Sequence, residues 1–298
     1  MSNLSDIKNR MNVIADTRKI TNAMDTVSVA KMSRAAELSE QNRTYFETLR
    51  GVISDIILHT SAWVHPCFKK RAGDRVLCIV IASDKGLAGG FNHGVCERAY
   101  SLLSECKAPT VIAVGQTTKE YFANKDGIAL VENFCDRSFD PDIEDASEIA
   151  DYAIKQFSSG DCDELIAVYN TRESQAAERI ETIKILPLLK EDVCKFDSEN
   201  NSFRESYVHE LYYEPSPDEV LERLIPQYVS GIIYGCMLQS KAAEHSARHA
   251  AMSEATKNAD ELLSRLKLDY NRARQGAVTG EITDIITAAS GVKNEKNF

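Results

Sequence analysis

The sequence predicts an α/β fold with a particular layout: a Rossmann-like α/β domain set between two long terminal helices that pair as an antiparallel coiled coil. Three observations predict it. Apolar and small residues recur at helical spacing from Ser216 to about Ala289, and again from about Asn3 to His59. Between these stretches, continuous apolar runs rich in β-branched residues alternate with helical segments. The implied segments are 1–72 (helix and linker), 73–215 (α/β domain) and 216–298 (helix).

The N-terminal helix has no proline before Pro66 and no glycine before Gly51. Its expected stripe is Ile20, Met24 and Val27, then Tyr45, Leu49, Val52 and Ile56. Between these lie small residues, Ala30, Ala35 and Ala36, which suit close helix–helix approach better than burial in a broad core. His65 to Gly73 reads as a basic, turn-rich linker. Val76–Ala82, Val111–Val114 and Leu165–Tyr169 read as strands buried on both faces. Gly94–Ser104, Thr117–Asn124 and Ile143–Phe157 read as the helices between and beside them, which implies right-handed crossovers. Glu178–Ile185 and Tyr207–Tyr213 are candidate edge strands, with Lys195–Glu205 a polar loop.

The C-terminal helix opens on Ser216-Pro217-Asp218-Glu219, a cap, a proline in the first helical position and a capping-box partner. Leu221, Leu224, Ile225, Tyr228 and Ile232 begin its stripe, and Ala255, Ala259, Leu262, Leu266, Tyr270, Ala273 and Ala277 continue it. At 1.5 Å per residue such a helix would run roughly 100 Å, too long to stand without a partner or a cage. Pro226 falls inside it and is expected to kink it or to end a short first piece.

Composition narrows the function. The net charge is −10, with the excess acid lying between Gly73 and Ser240, so the chain as a whole is not a nucleic-acid binder. Eight scattered cysteines with no C-x-x-C pair read as reduced thiols in a cytosolic protein. No run is long and apolar enough for a membrane span, and the polar residues Met1 to Arg10 are not those of a signal peptide.

Candidate chemistry is sparse. Ser83-Asp84-Lys85-Gly86-Leu87-Ala88-Gly89-Gly90-Phe91-Asn92 lies between a strand and a helix, where glycines let backbone N–H groups approach a phosphate. It matches neither a P-loop nor G-x-G-x-x-G, so both a nucleotide site and a tight structural turn remain open. His245 and His249 share the i, i+4 spacing of zinc ligands, but Glu does not follow His245, and they read as solvated histidines on a rod. No residue pattern marks a catalytic nucleophile, metal site or cofactor site, and none is expected. Near the C-terminus, Arg274, Gln275 and Thr279 stand beside an apolar tip, Ile282, Ile285 and Ile286, that needs something to bury it.

These blocks carry a resemblance. Thr17-Arg18-Lys19-Ile20-Thr21-Asn22-Ala23-Met24, the Ser83–Asn92 loop, and the sets Glu244, Ala247-Arg248, Ala250-Ala251-Met252 and Tyr270-Asn271-Arg272-Ala273-Arg274-Gln275 with Thr279, Glu281 and Ile282 make the chain resemble, end to end, the gamma subunit of F-type ATP synthases. The resemblance implies a non-catalytic rotor shaft without cofactor. The shaft would turn inside a ring of three alpha and three beta subunits, with the α/β domain as a foot on the ring of c subunits beside the epsilon subunit. It would couple proton or sodium flow to ATP synthesis or hydrolysis, on the cytoplasmic face of the cell inner membrane, and would touch that membrane only through the complex. It implies partner contacts at Met24 and Arg248 to the beta subunits' moving segment, and at Arg274, Gln275, Thr279, Glu281 and Thr283 at the upper bearing and catch. The acidic middle, Thr117-Thr118 and Pro226 depart from the family pattern, and with them the c-ring and epsilon contacts are expected to be adapted. The other readings of the residues are a nucleotide-binding α/β enzyme with a helical arm, and a coiled-coil scaffold.

Overall fold

The computed structural model describes residues 4–59, 65–138, 140–172, 178–188 and 213–295. Its elements in chain order are α1 (Leu4–His59), β1 (Val76–Ile81), α2 (Phe91–Leu103), β2 (Thr110–Val114), α3 (Gln116–Phe122), β3 (Ala129–Val131), α4 (Ile143–Ser159), β4 (Glu164–Arg172), β5 (Glu178–Leu186) and α5 (Pro217–Glu295), with short 3-10 turns at Pro66–Phe68 and Cys135–Ser138. Contacts divide the chain into two compact units, Met1–Val27 with His249–Phe298, and Ser28–Arg248. No helix among the described residues is long and apolar enough to cross a membrane.

In the larger unit the sheet has the order β3-β2-β1-β4-β5. The first four strands are parallel and β5 runs antiparallel on the edge beside β4. The alternation of side chains along β1 feeds two cores. Leu77, Ile79 and Ile81 face α4, α1 and α5. Val76, Cys78, Val80 and Ala82 face α2 and Phe122 of α3. A strand covered on both sides can afford no polar position, which is why the expected runs are continuous. The expected strands and helices that fall on described residues are present, with ends shifted by a few residues. The three-residue β3 is an addition that so short a segment does not announce. The expected strand Tyr207–Tyr213 and the loop Lys195–Glu205 lie outside the described residues but for Tyr213. All seven described cysteines are free.

Local signals explain the element ends. Asp142 caps α4 by accepting the Asp145 N–H at 2.8 Å, Asp145 returns the bond, and Gly160 closes the helix with φ +88°. Ser216 Oγ accepts the Glu219 N–H at 3.3 Å where α5 begins. Gly115 turns β2 into α3 at φ +99°, and a Cβ there would lie 2.3 Å from the Ala82 carbonyl oxygen. Pro226 does not end a first helical piece: α5 is one helix from Pro217 to Glu295. The lost N–H is one bond among many in a helix whose Ile225, Tyr228 and Val229 are buried on either side of the proline.

The inward face of α1 differs in part from the expected one: Leu49 and Ile56 are buried as expected, whereas Tyr45 and Val52 are exposed. Ile20 and Val27 are exposed, at 61% and 54%. The positions turned inward follow a strict seven-residue repeat: Ile7, Ile14, Thr21, Ser28, Ala35, Asn42, Leu49 and Ile56, with Asp25, Met32, Ser39, Phe46 and Ile53 on the adjoining seam. On α5 the matching series is His245, His249, Met252, Thr256, Ala259, Leu263, Leu266, Tyr270 and Ala273, again in steps of four and three. Leu262 is thus displaced from the seam by its neighbour and stands 46% exposed. Small and polar side chains fill a seam between two helices that approach closely, so hydrophobicity alone points to the wrong face.

Candidate functional site

Three places bear the expected functional residues. The first is the helix pair of the smaller unit. Thr21 and Thr256 hydroxyls hydrogen-bond at 2.7 Å, Arg18 Nε meets Asp260 at 2.6 Å, and His249 Nδ1 meets the Asp25 carboxylate. As α1 advances, its partners on α5 retreat, so the two strands of this pair are antiparallel. Met24 lies half-buried beside this seam.

The second place is the end of α5. Stepping back from Thr21 and on from Thr256 sets Leu4 opposite Ala273. Beyond Ala273, every residue from Arg274 to Ile286 is exposed. Val278, Ile282, Ile285 and Ile286 stand 49%, 52%, 69% and 59% exposed. Gln275, Thr279, Ile282 and Ile286 share one face; Arg274, Val278, Glu281 and Ile285 share the next. The hydroxyls of Thr279 and Thr283 donate to the carbonyls of Gln275 and Thr279, both at 2.8 Å. Arg274 and Glu281 have no ion pair among the described residues.

The third place is in the larger unit, where α5 crosses the carboxyl ends of the strands. Ser240 Oγ donates to the Ile81 carbonyl at 3.4 Å, Thr171 bonds Gln239 at 3.2 Å, and Ala243 and Ala247 pack on Ala88 and Phe91. Arg248 turns inward: Nη2 donates to the Lys85 and Gly86 carbonyls at 3.3 and 3.2 Å, and Nη1 to Glu244 at 2.7 Å. The loop itself is closed by Ser83, whose N–H and hydroxyl each donate to Asn92 Oδ1 at 2.9 Å, and by Asp84, which accepts the Gln116 N–H at 3.0 Å. Leu87 at its tip has φ +63° and is 65% exposed.

This arrangement decides between the two open readings of the Ser83–Asn92 loop. In open α/β sheets, nucleotides bind in the crevice where strand order reverses, here between β1 and β4. Ser240, Gln239 and the two alanines of α5 fill that crevice, and the carbonyls of Lys85 and Gly86 face a guanidinium, not an anion. The loop is a structural turn locked onto α5.

Electrostatics follow from the same packing. Burial favours a neutral Glu244, but Lys241 at 3.0 Å and Arg248 outweigh it and hold the carboxyl below the usual range. His245 is buried, not solvated as expected. Burial lowers its pKa to about 4; Glu244 opposes this, and Lys241, Arg248 and Lys31 add to it. The reason the expectation fails is that α5 at this level is covered by α1 and the loop. Among the described residues no group of side chains is arranged to hold a metal ion. Arg248's hold on the loop was not legible from its neighbours in sequence, because its acceptors lie on a loop far away in the chain.

Comparison with known proteins extends the picture. A family model described as ATP synthase matches residues 3–292. The protein named ATP synthase gamma chain of Caldanaerobacter subterraneus subsp. tengcongensis is 34% identical over 293 residues, 96% of this chain and 98% of that one. Its namesake in Halothermothrix orenii is 34% identical over 294 residues, 98% of this chain and 100% of that one. Among solved structures, a chain of the Euglena gracilis mitochondrial ATP synthase (OSCP/F1/c-ring, rotational state 3) superposes with a TM-score of 0.64 at 15% identity, covering 99% of this chain and 96% of that chain. A chain of the Tetrahymena thermophila mitochondrial ATP synthase central stalk and c-ring superposes with a TM-score of 0.59 at 22% identity, covering 79% and 99%. The structural likenesses are likenesses of fold.

Proposed function

This chain belongs to the ATP synthase gamma-chain family, and from that premise we infer the work of each of its surfaces. It is the central rotor shaft of an F-type ATP synthase and a non-catalytic subunit of it. Three alpha and three beta subunits surround the shaft; the epsilon subunit and the c-ring hold its foot, the α/β segment 73–215. Ion flow, of protons or sodium, turns the shaft at the cytoplasmic face of the membrane, and the chain reaches that membrane only through the complex. The shaft carries different side chains on different faces. Each orientation therefore favours one beta conformation over the others by differential contact, which is all a mechanical ligand can do.

Arg274, Gln275, Thr279, Glu281 and Thr283 form the bearing and catch, and Met24 meets the moving segment of a beta subunit. Arg248 serves that contact through the loop it holds, presenting Leu87 on a fixed turn. The observation that carries this reading is the end of α5: four large apolar side chains at helical spacing, exposed beyond the last opposed residue of α1, require a sleeve. The test is reconstitution of alpha and beta subunits with the full chain and with a chain ending at Ala273. Single-molecule rotation driven by ATP should be sustained by the full chain and should lose torque with the short one. Rotation-coupled hydrolysis of equal rate and torque from alpha and beta subunits lacking this chain would refute the assignment.

A further inference from the structure

Pro226 has a consequence on the surface of the larger unit. Where the proline ring replaces an N–H, α5 presents an apolar wall, and between α1, α4 and α5 lies a cavity of about 520 Å³. That is the size of small-molecule sites, which run from about 300 to 1,000 Å³. Its lining includes Leu38, Tyr45, Ile143, Pro226, Tyr234 and Glu144, with neutral amide and hydroxyl side chains of all three helices between them. Tyr45 and Ile143 are 52% and 48% exposed, so the walls are apolar surface that nothing in this unit covers.

Glu144 is the one charged side chain among the described residues that line this opening. Glu144 stands in the first turn of α4, exposed, without an ion pair among the described residues. Its neighbour Asp145 is different, being paired with Arg137. Burial raises the pKa of the Tyr234 hydroxyl, and the nearby carboxylates of Asp142 and Asp140 raise it further, which places two more negative charges close to the cavity. Asp140 also lines the neighbouring crevice, together with Lys31, Arg34 and Lys241; Glu144 does not line that crevice.

We propose that this cavity binds a small amphiphilic cation, its apolar body between Leu38, Ile143 and Pro226, and its ammonium group against the two phenol rings and the Glu144 carboxylate. Aromatic faces and a carboxylate both attract a cation, and both repel an anion of the same shape. The site touches α1, α4 and α5 at once, and it is independent of the rotor assignment.

Three probes with one skeleton separate shape from charge: 4-phenylbutylammonium, 4-phenylbutanol and 4-phenylbutyrate, titrated by calorimetry and ligand-observed NMR into the full chain. The ammonium should bind about ten-fold more tightly than the alcohol, and the carboxylate should not bind measurably. Glu144→Gln should cost the ammonium up to about five-fold and leave the alcohol unchanged, as for an exposed ion pair. Gln41→Lys, an exposed change at the lining, should weaken the ammonium and improve the carboxylate. Ser147→Phe should fill the cavity and abolish all binding, with an unchanged circular dichroism spectrum checking its fold. Equal affinity for the three probes, or ammonium binding that survives both Gln41→Lys and a folded Ser147→Phe, would overturn the proposal.

Discussion

Replacing His245 tests the packing of α5 against the loop through pH. The imidazole is 5% exposed and its pKa falls from 6.5 to about 4 on folding, burial being the first cause. A lowered folded value means that the unfolded chain binds the extra proton between these two pH values. The stability that His245 contributes is therefore fully present above about pH 6.5 and drains away as pH falls toward 4. At 1.36 kcal/mol per unit, the whole shift corresponds to about 3 kcal/mol, of which about 2 kcal/mol is lost between pH 7 and pH 5. Urea unfolding at both pH values, on the native chain and on His245→Gln, measures it. The native chain should lose about 2 kcal/mol more than the variant on acidification. The imidazole Hε1 resonance of His245 should show no titration down to about pH 5. Identical pH slopes in the two proteins, or a titration midpoint near 6.5, would refute the burial argument.

Arg248→Met should destabilise the chain by about 2–3 kcal/mol, the lower range for breaking a buried pair because Glu244 keeps Lys241; limited trypsin digestion should then cut after Lys85 faster than in the native chain. Leu87→Gly should stabilise by about 1 kcal/mol in thermal unfolding, since glycine relieves a positive φ and the leucine is largely exposed. A loss of ATP-driven torque in the same variant would mark Leu87 as a contact. Gly115→Ala should lower the melting temperature sharply, because its Cβ would strike the Ala82 carbonyl; an unchanged melting temperature would contradict the turn geometry. Ending the chain at Ala273 should change the urea midpoint little, as the side chains from Arg274 to Ile286 are exposed.

The layout of the chain was readable because burial on both faces leaves a plain mark. Val76–Ala82 and Leu165–Tyr169 carry no polar interruption, and Asp142 and Ser216 announce their helices with caps. The inward face of α1 was not readable from hydrophobicity, because Thr21, Ser28 and Ala35 face the partner helix while Ile20 and Val27 face away. A search for a seven-residue recurrence regardless of polarity would have found it. The apolar outward positions are informative in turn: residues at that spacing on the outside of a helix pair have a use other than holding the pair together. Arg248 was picked out by resemblance, yet its bonds to Lys85 and Gly86 depend on the path of α5 over the sheet, which no local pattern records.

The four-and-three spacing along the pair formed by the N-terminal part of α1 and the C-terminal part of α5 makes one further point. Seams recurring every 3.5 residues on helices of 3.6 residues per turn wind around each other with a left hand. A left-handed rope responds unequally to the two senses of torsion: one sense draws its plies together, the other eases them apart. The pair is therefore a chiral spring, stiffer when twisted one way than the other.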